Sequence, residues 1–231
     1  PSGSGKTSLL NALSAAIPDD ERIVVIEDTA ELRLLQPHTV YLESRPADPK
    51  GHGAVTIRDL FVDSLRMRPD RIVVGEVRRG EALDMVQSML SGHDGALGTV
   101  HASSPAHALS RLETLCLMND VGLPVHVARA QVADAMHVVV QVARMADNTR
   151  RVVQIAEVAG LGKKQPYRVR PVFDFRVAGR DADGRVLGGL EWTGKPSRFR
   201  RDVEMSGPAS AAVKRTAPLF APPADPAPLV R

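Results

Sequence analysis

The residues best suited to chemistry open the chain: Gly3-Ser4-Gly5-Lys6-Thr7. They form the C-terminal part of a G-x-x-x-x-G-K-[ST] phosphate loop, whose first glycine would sit immediately before Pro1. Glycines let backbone N–H groups turn inward onto phosphate oxygens, and the helix that follows directs its positive dipole end at the same anion. On this reading Ser2, Gly3, Ser4, Gly5, Lys6, Thr7 and Ser8 bind nucleotide. Lys6 reaches the β- and γ-phosphates, and the Thr7 hydroxyl ligates Mg2+. The competing explanation is a Gly-Ser loop that caps a helix by chance.

Two apolar runs end in carboxylates. Ile23-Val24-Val25-Ile26 leads to Glu27-Asp28 with Glu31 after it, and Ile72-Val73-Val74-Gly75 leads to Glu76. In open α/β sheets ligands bind beyond the carboxyl ends of the strands, so both acids are expected to face the phosphate loop. A nucleoside triphosphatase needs one acid near the Mg2+ shell and another to orient or deprotonate the attacking water. The alternative for Glu27 and Asp28 is a plain capping role in the next turn.

His101 follows a third short run, Leu97–Val100, on the same edge as the acids, while His93 precedes it. A neutral imidazole at that edge can report the γ-phosphate or relay hydrogen bonds. For His93 a structural role competes evenly. The histidines lack a third ligand at usable spacing, which disfavours zinc. Arg45, Arg66, Arg68 and Arg78 flank these elements, each a candidate to neutralise transition-state charge and each equally suited to a surface ion pair.

The elements that must position these groups follow from periodicity. Residues 7–17 predict a helix, as do 56–67, 80–91, a stretch from the Ser104-Pro105 cap to about Met118, and Pro124 to about Ala135. Strands are expected at Ile23–Ile26, Arg71–Val74, Leu97–Val100, Val138–Val142 and Val152–Val158. Pro46, Pro49, Gly51 and Gly53 make 44–54 a loop. Strands alternating with helices predict an α/β fold, a mostly parallel sheet with helices on both faces. Residues 1–162 are read as this core, 163–207 as a small β-rich segment, and 208–231, with six prolines, as a disordered tail.

The composition of the 231 residues, 43% hydrophobic and 25% charged, excludes wholesale disorder. No apolar run approaches the roughly 18 residues needed to span a bilayer. One cysteine, Cys116, excludes an intrachain disulfide and a four-thiolate zinc site. These features point to the cytoplasm. The formal charge of +3 is uneven: residues 1–162 carry 16 Lys+Arg against 20 Asp+Glu, and 163–203 carry 11 against 5. The basic segment suits nucleic acid, an acidic partner or an anionic lipid surface, although a merely solvated face explains it more simply. A start inside a motif and without Met reads as a fragment.

Taken in order, four blocks resemble the secretion ATPases of type II and type IV systems, RecA-like P-loop motors. They are the phosphate loop, the aspartate box Ile26-Glu27-Asp28-Thr29-Ala30-Glu31-Leu32, the Walker B segment Arg68–Arg78, and the histidine box Gly92-His93-Asp94-Gly95 through Thr99-Val100-His101-Ala102. Leu65–Arg71 and Ser110-Arg111-Leu112-Glu113 are similar to the CpaF-like branch that assembles tight-adherence pili. The resemblance implies ATP and Mg2+ as cofactors, Glu27 or Glu31 as general base, Glu76 as the Walker B acid and a metal-shell residue beside Thr7, and His93 and His101 as the histidine-box pair. It also implies a homo-hexamer on an inner-membrane platform protein, with an N-terminal domain and a first core strand that this stretch lacks. Two other activities fit the same residues: a nucleic-acid translocase, and an assembly module that binds nucleotide without turnover.

Overall fold

The structure, a computed structural model, describes residues 3–93 and 95–199. Ser2, Asp94, the end of the 163–207 segment and the tail expected over 208–231 lie outside the described residues. The chain runs through α1 (Lys6–Ser14), β1 (Ile23–Glu27), β2 (Thr39–Glu43), α2 (Ile57–Ser64), a 3-10 turn (Leu65–Met67), β3 (Arg71–Val74), α3 (Glu81–Leu90) and β4 (Leu97–Gly98). After these come α4 (Pro105–Leu117), α5 (Val125–Ala135), β5 (Val138–Arg144), β6 (Arg150–Leu161), β7 (Tyr167–Arg180) and β8 (Val186–Trp192).

The first four strands form a parallel sheet in the order β2-β1-β3-β4. Side chains alternate across a strand, so a strand covered on both faces must be apolar at every position. β1 obeys this rule. Ile23 and Val25 join Val73 against Leu10 and Ile17 from α1 and its exit turn, with Leu32 beside them. Val24 and Ile26 join Ile72 and Val74 on the opposite face, against Phe61, Leu83, Val86, Leu109 and Leu115. Helices therefore cover both faces, as the periodicity predicts.

Local chemistry fixes the ends. Thr56 and Asp59 form a capping box that starts α2. The Ser104 hydroxyl accepts from His107 N, and Pro105 supplies the preset first turn of α4. The buried Gln36 side chain donates to Ser14 O at 2.8 Å and Ile17 O at 3.0 Å, closing the C-terminal end of α1 and tying the segment after β1 back over it.

The structure corrects three expectations. Thr39–Glu43 is a strand that the sequence reading passes over, although Thr-Val-Tyr-Leu has strand propensity. β4 spans two residues, Leu97–Gly98, rather than four. The third correction concerns Val138–Val142 and Val152–Val158, read above as part of the alternating core. They are antiparallel partners in a second sheet of order β5-β6-β7-β8, which begins at Val138. The reason is the Asp147-Asn148 turn. Asn148 takes φ 64°, Asn148 N donates to Met145 O at 2.9 Å, and Met145 N donates to Thr149 O at 2.7 Å. A turn this tight reverses the chain, whereas parallel neighbours need a long crossover.

Glu113 on α4 clasps the second sheet to the helices. It receives Arg129 of α5 through two bonds of 3.0 and 2.9 Å, and the Tyr167 hydroxyl of β7 at 2.8 Å. Several basic residues of 163–199 are likewise bound internally. Arg168 and Arg198 donate to the carbonyls of Ala159 and Val158, and Arg170 pairs with the buried Glu157. Between the two sheets, beneath the phosphate loop, lies an apolar cavity of about 580 Å³ lined in part by Leu9, Leu13, Leu97, Val138 and Val140. No helix among the described residues is long and apolar enough to cross a membrane.

Candidate functional site

Gly3 and Gly5 lie at φ 74° and 94°, a left-handed conformation that glycine adopts without steric cost. Gly5 is the N-cap of α1. Among the described residues no side chain caps this helix, and its first turn holds no acid, so its N–H groups and dipole meet no competing anion there. Ser4 is buried beneath the loop, and Thr7 is half-buried.

From this loop a row of alternating polar groups crosses the carboxyl edge of the parallel sheet. Lys6 Nζ lies 3.4 Å from His101 Nε2. His101 Nδ1 makes a short contact with the Glu76 carboxylate at the end of β3. Arg78 donates to Glu76 Oε2 from Nε at 2.8 Å and from Nη2 at 2.5 Å, and its Nη1 reaches Asp28 Oδ2 at 3.2 Å. Ser44 Oγ donates to the other Asp28 oxygen at 3.0 Å. The sheet order produces this convergence: β1 and β3 are neighbours, β4 lies beside β3, and their C-terminal ends open in one direction.

The electrostatics of the two strand-end acids differ. Burial pushes the Glu76 carboxyl upward, but the bonds and charges of Arg78 and His101 outweigh it and hold it below the usual carboxylate range. Glu76 is therefore an anion at neutral pH. Burial raises the Glu27 carboxyl above its ordinary value, only partly offset by the N–H groups of Leu32 and Glu31. Glu27 is 5% exposed, and both its oxygens accept from Glu31 N and Leu32 N at 3.2–3.3 Å. It thus holds the turn that follows β1, the capping role weighed above. Glu31 stands exposed at the end of that turn, and its charge adds, after the bond and charge of Glu76 and the charge of Asp28, to what raises the Arg78 guanidinium's pKa.

The structure brings Lys6, Glu76 and His101 into one contact chain and places Asp28 at its far end. It does not bring His93 there. Gly95 abuts Asp70 and Arg71, at the start of β3, and His93 lies just before it in the turn after α3, its buried Nδ1 without a partner among the described residues. β4 separates this position from His101. Arg78, weighed above as a charge neutraliser, lies within the same chain's acid pair. Two residues escaped the sequence reading. A Cβ on Gly75 would lie 2.9 Å from Glu27 Cγ, so only glycine lets Glu27 pack beneath the site. Arg150, on the distant β6, donates from Nε to Gly3 O at 2.6 Å. The Gly75 signal was visible as a glycine at a strand end before an acid, but the Arg150 contact had none.

The donor set is that of a hard divalent cation held together with a phosphate group. The Thr7 hydroxyl and the Glu76 carboxylate offer hard oxygen donors, and Mg2+ usually takes one or two carboxylates plus phosphates rather than an all-protein cage. Among the described residues no group of three or more His, Cys, Asp or Glu could hold a metal by itself.

A family model described as "Type II/IV secretion system protein" matches residues 1–185. The type IV secretion system protein PtlH of Bordetella pertussis is 45% identical over 159 residues, covering 66% of this chain and 47% of its own length. VirB11 of Bartonella henselae is 44% identical over 120 residues, covering 52% of this chain and 33% of its own. Among solved structures, the VirB11 ATPase from the Brucella suis type IV secretion system superposes with a TM-score of 0.59 at 37% identity, covering 67% of this chain and 45% of that one. The chain spans less than half the length of these relatives. Since the family match runs through most of the sequence, and the fold and motif order agree with it, the chain belongs to the type II/IV secretion ATPase family.

Proposed function

We propose that this chain binds ATP with Mg2+ at the phosphate loop and hydrolyses it to power pilus assembly or protein secretion. The observation that carries the reading is the single contact row running from Lys6 through His101 to Glu76, which joins three separated motifs around the mouth of one uncapped helix. Lys6 and the loop N–H groups bind the β- and γ-phosphates, with Ser4 buried in the loop and Ser8 in the first turn of α1. Thr7 and Glu76 would hold Mg2+, which would supply positive charge against the negative charge that develops on the phosphates. His101 keeps Glu76 oriented and stands where a γ-phosphate would meet Lys6. Glu31 orients the attacking water, because Glu27 is already committed to the turn beneath it. His93 acts outside this row.

The apolar cavity under the loop supports a RecA-like core. It is bordered by β4 and β5, each the terminal strand of its sheet, and has the lining a further parallel strand needs. The resemblance extends the proposal to a homo-hexamer at the cytoplasmic face of the inner membrane, working on a platform protein. The wording of Leu65–Arg71 favours the CpaF-like branch. Nucleic-acid translocation is less favoured, because Arg168, Arg170 and Arg198 of the basic segment are bound internally.

The test is ATP turnover by the full chain with and without Mg2+, beside Glu76→Gln and Lys6→Ala. Glu76→Gln is expected to bind nucleotide and release phosphate at least about 100-fold more slowly. Equal turnover by Glu76→Gln and the parent would remove Glu76 from the chemistry. Binding without turnover above the Lys6→Ala level would leave a non-hydrolysing module.

A further inference from the structure

Arg150 reaches the phosphate loop across 147 positions of the chain. Its Nε donates to Gly3 O at 2.6 Å. Its methylene stem packs on Gly5, where a Cβ would lie 3.2 Å from Arg150 Cδ and 3.7 Å from its Cβ. Gly3 and Gly5 are the two residues that give the loop its left-handed bends. A loop of glycines loses more conformational entropy on ordering than any other, so it needs an external restraint if its N–H groups are to converge before phosphate arrives. Ser4 is buried, whereas Gly3 and Arg150 are exposed, so the Arg150 bond restrains the loop at its solvent-facing part.

The arginine's own mount is braced. Asp147 Oδ1 accepts from Thr149 N at 2.9 Å and Thr149 Oγ1 at 2.6 Å, and its Oδ2 accepts from Val186 N at 2.7 Å, tying the β5–β6 turn to β8. The Thr149 hydroxyl bond leads in holding the Asp147 carboxyl down at about 2, so the brace stays ionised through the physiological range. The neighbouring Arg151 lies over the Phe175 ring at 5.5 Å and donates to Val186 O at 3.1 Å. The hairpin therefore presents Arg150 from a fixed platform rather than a loose tip.

We infer that Arg150 is a positioning residue for nucleotide binding: it holds the phosphate loop in its receptive shape and links that shape to the antiparallel sheet through the Asp147-braced hairpin. This inference rests on the proposal that the loop binds nucleotide. Arg150 acts through Gly3 and Gly5, and so governs the occupancy of the site rather than the chemical step.

Arg150→Met in the full chain is the test, because it keeps the apolar stem and removes the donor. Nucleotide affinity, read with a fluorescent ATP analogue, and the Michaelis parameters are measured for the parent, Arg150→Met, Asp147→Ala, the double variant and Lys6→Ala. Arg150→Met is expected to weaken binding about tenfold and raise KM alike, leaving kcat within about twofold, as loss of uniform binding requires. Asp147→Ala is expected to weaken binding severalfold. The double variant should bind no worse than Arg150→Met alone, since Asp147 acts through Arg150. Melting without nucleotide separates this from general unfolding. Parent-like affinity in Arg150→Met beside a Lys6→Ala variant that cannot bind would overturn the inference. So would a fall in kcat at unchanged KM, or additive losses in the double variant. Parent-like binding by Lys6→Ala would instead sink the nucleotide-site proposal itself.

Discussion

Replacing Tyr167 by Phe removes one hydroxyl from the clasp between the second sheet and the helices and leaves the ring packing intact. That hydroxyl donates at 2.8 Å to Glu113, whose residue is 8% exposed. A hydrogen bond to a charged group contributes roughly 1.5–3 kcal/mol. The lower end is expected here, about 1.5 kcal/mol, because Arg129 still binds both Glu113 oxygens and the carboxylate is not stranded. The loss corresponds to about a tenfold change in the folding constant and to a melting temperature lower by about 3–6 °C for a chain of this size. Urea unfolding followed by circular dichroism measures it as a lower midpoint at unchanged slope. The effect also carries a pH signature. Arg129 leads in holding the Glu113 carboxyl below its ordinary value, Tyr167 adds to this, and burial opposes it. A depressed folded pKa means that this stability is present above the unfolded value near 4.3 and is lost as pH falls through the folded one. The gap between parent and Tyr167→Phe should therefore narrow in acid. A gap under about 0.5 kcal/mol at pH 7, or one as wide in acid as at neutrality, would refute the charged-acceptor account of the clasp.

Other expectations concern the site and the core. Gly75→Ala forces Glu27 from its place, since the new Cβ would meet Glu27 Cγ at 2.9 Å; turnover should fall at least about tenfold while nucleotide still binds. Glu31→Gln should reduce turnover at least about 100-fold, and Glu27→Gln far less, because an amide oxygen still accepts from Glu31 N and Leu32 N. Burial raises the Glu27 pKa, so ionising it opposes folding; any stability gained by Glu27→Gln should appear only as pH rises through that pKa, and chemical denaturation at two pH values measures it. Burial also pushes the Cys116 thiol up to about 12, so a thiol-specific chromogenic reagent should leave native protein unlabelled at pH 8 and label it fully in denaturant.

Much of the site was legible because strand-end logic needs little beyond order. Ile23–Ile26 and Ile72–Val74 are apolar at every position, which only a doubly covered strand tolerates, and their terminal acids had to lie on one edge. His101 followed from the same rule. His93 did not, because adjacency in a motif says nothing about which end of a strand a residue occupies. Val138 and Val152 look alike whether they pair parallel or antiparallel, and the discriminating information sat in Asp147-Asn148, two turn-forming residues between them. The division between Glu27 and Glu31 required knowing where two backbone N–H groups point. Arg150 depended on a contact across 147 positions, which no local pattern encodes.

Lys6 rests 3.4 Å from the His101 imidazole, whereas Arg78 grips Glu76 through two shorter bonds. The contrast sets an order of release. An arriving polyanion can draw the lysine away at small cost, because imidazole is a weak anchor for an ammonium group, while the guanidinium keeps the acid in register throughout. The lysine is thus held by a loose latch and the acid by a firm one, so drawing the lysine aside need not begin by breaking a strong ion pair.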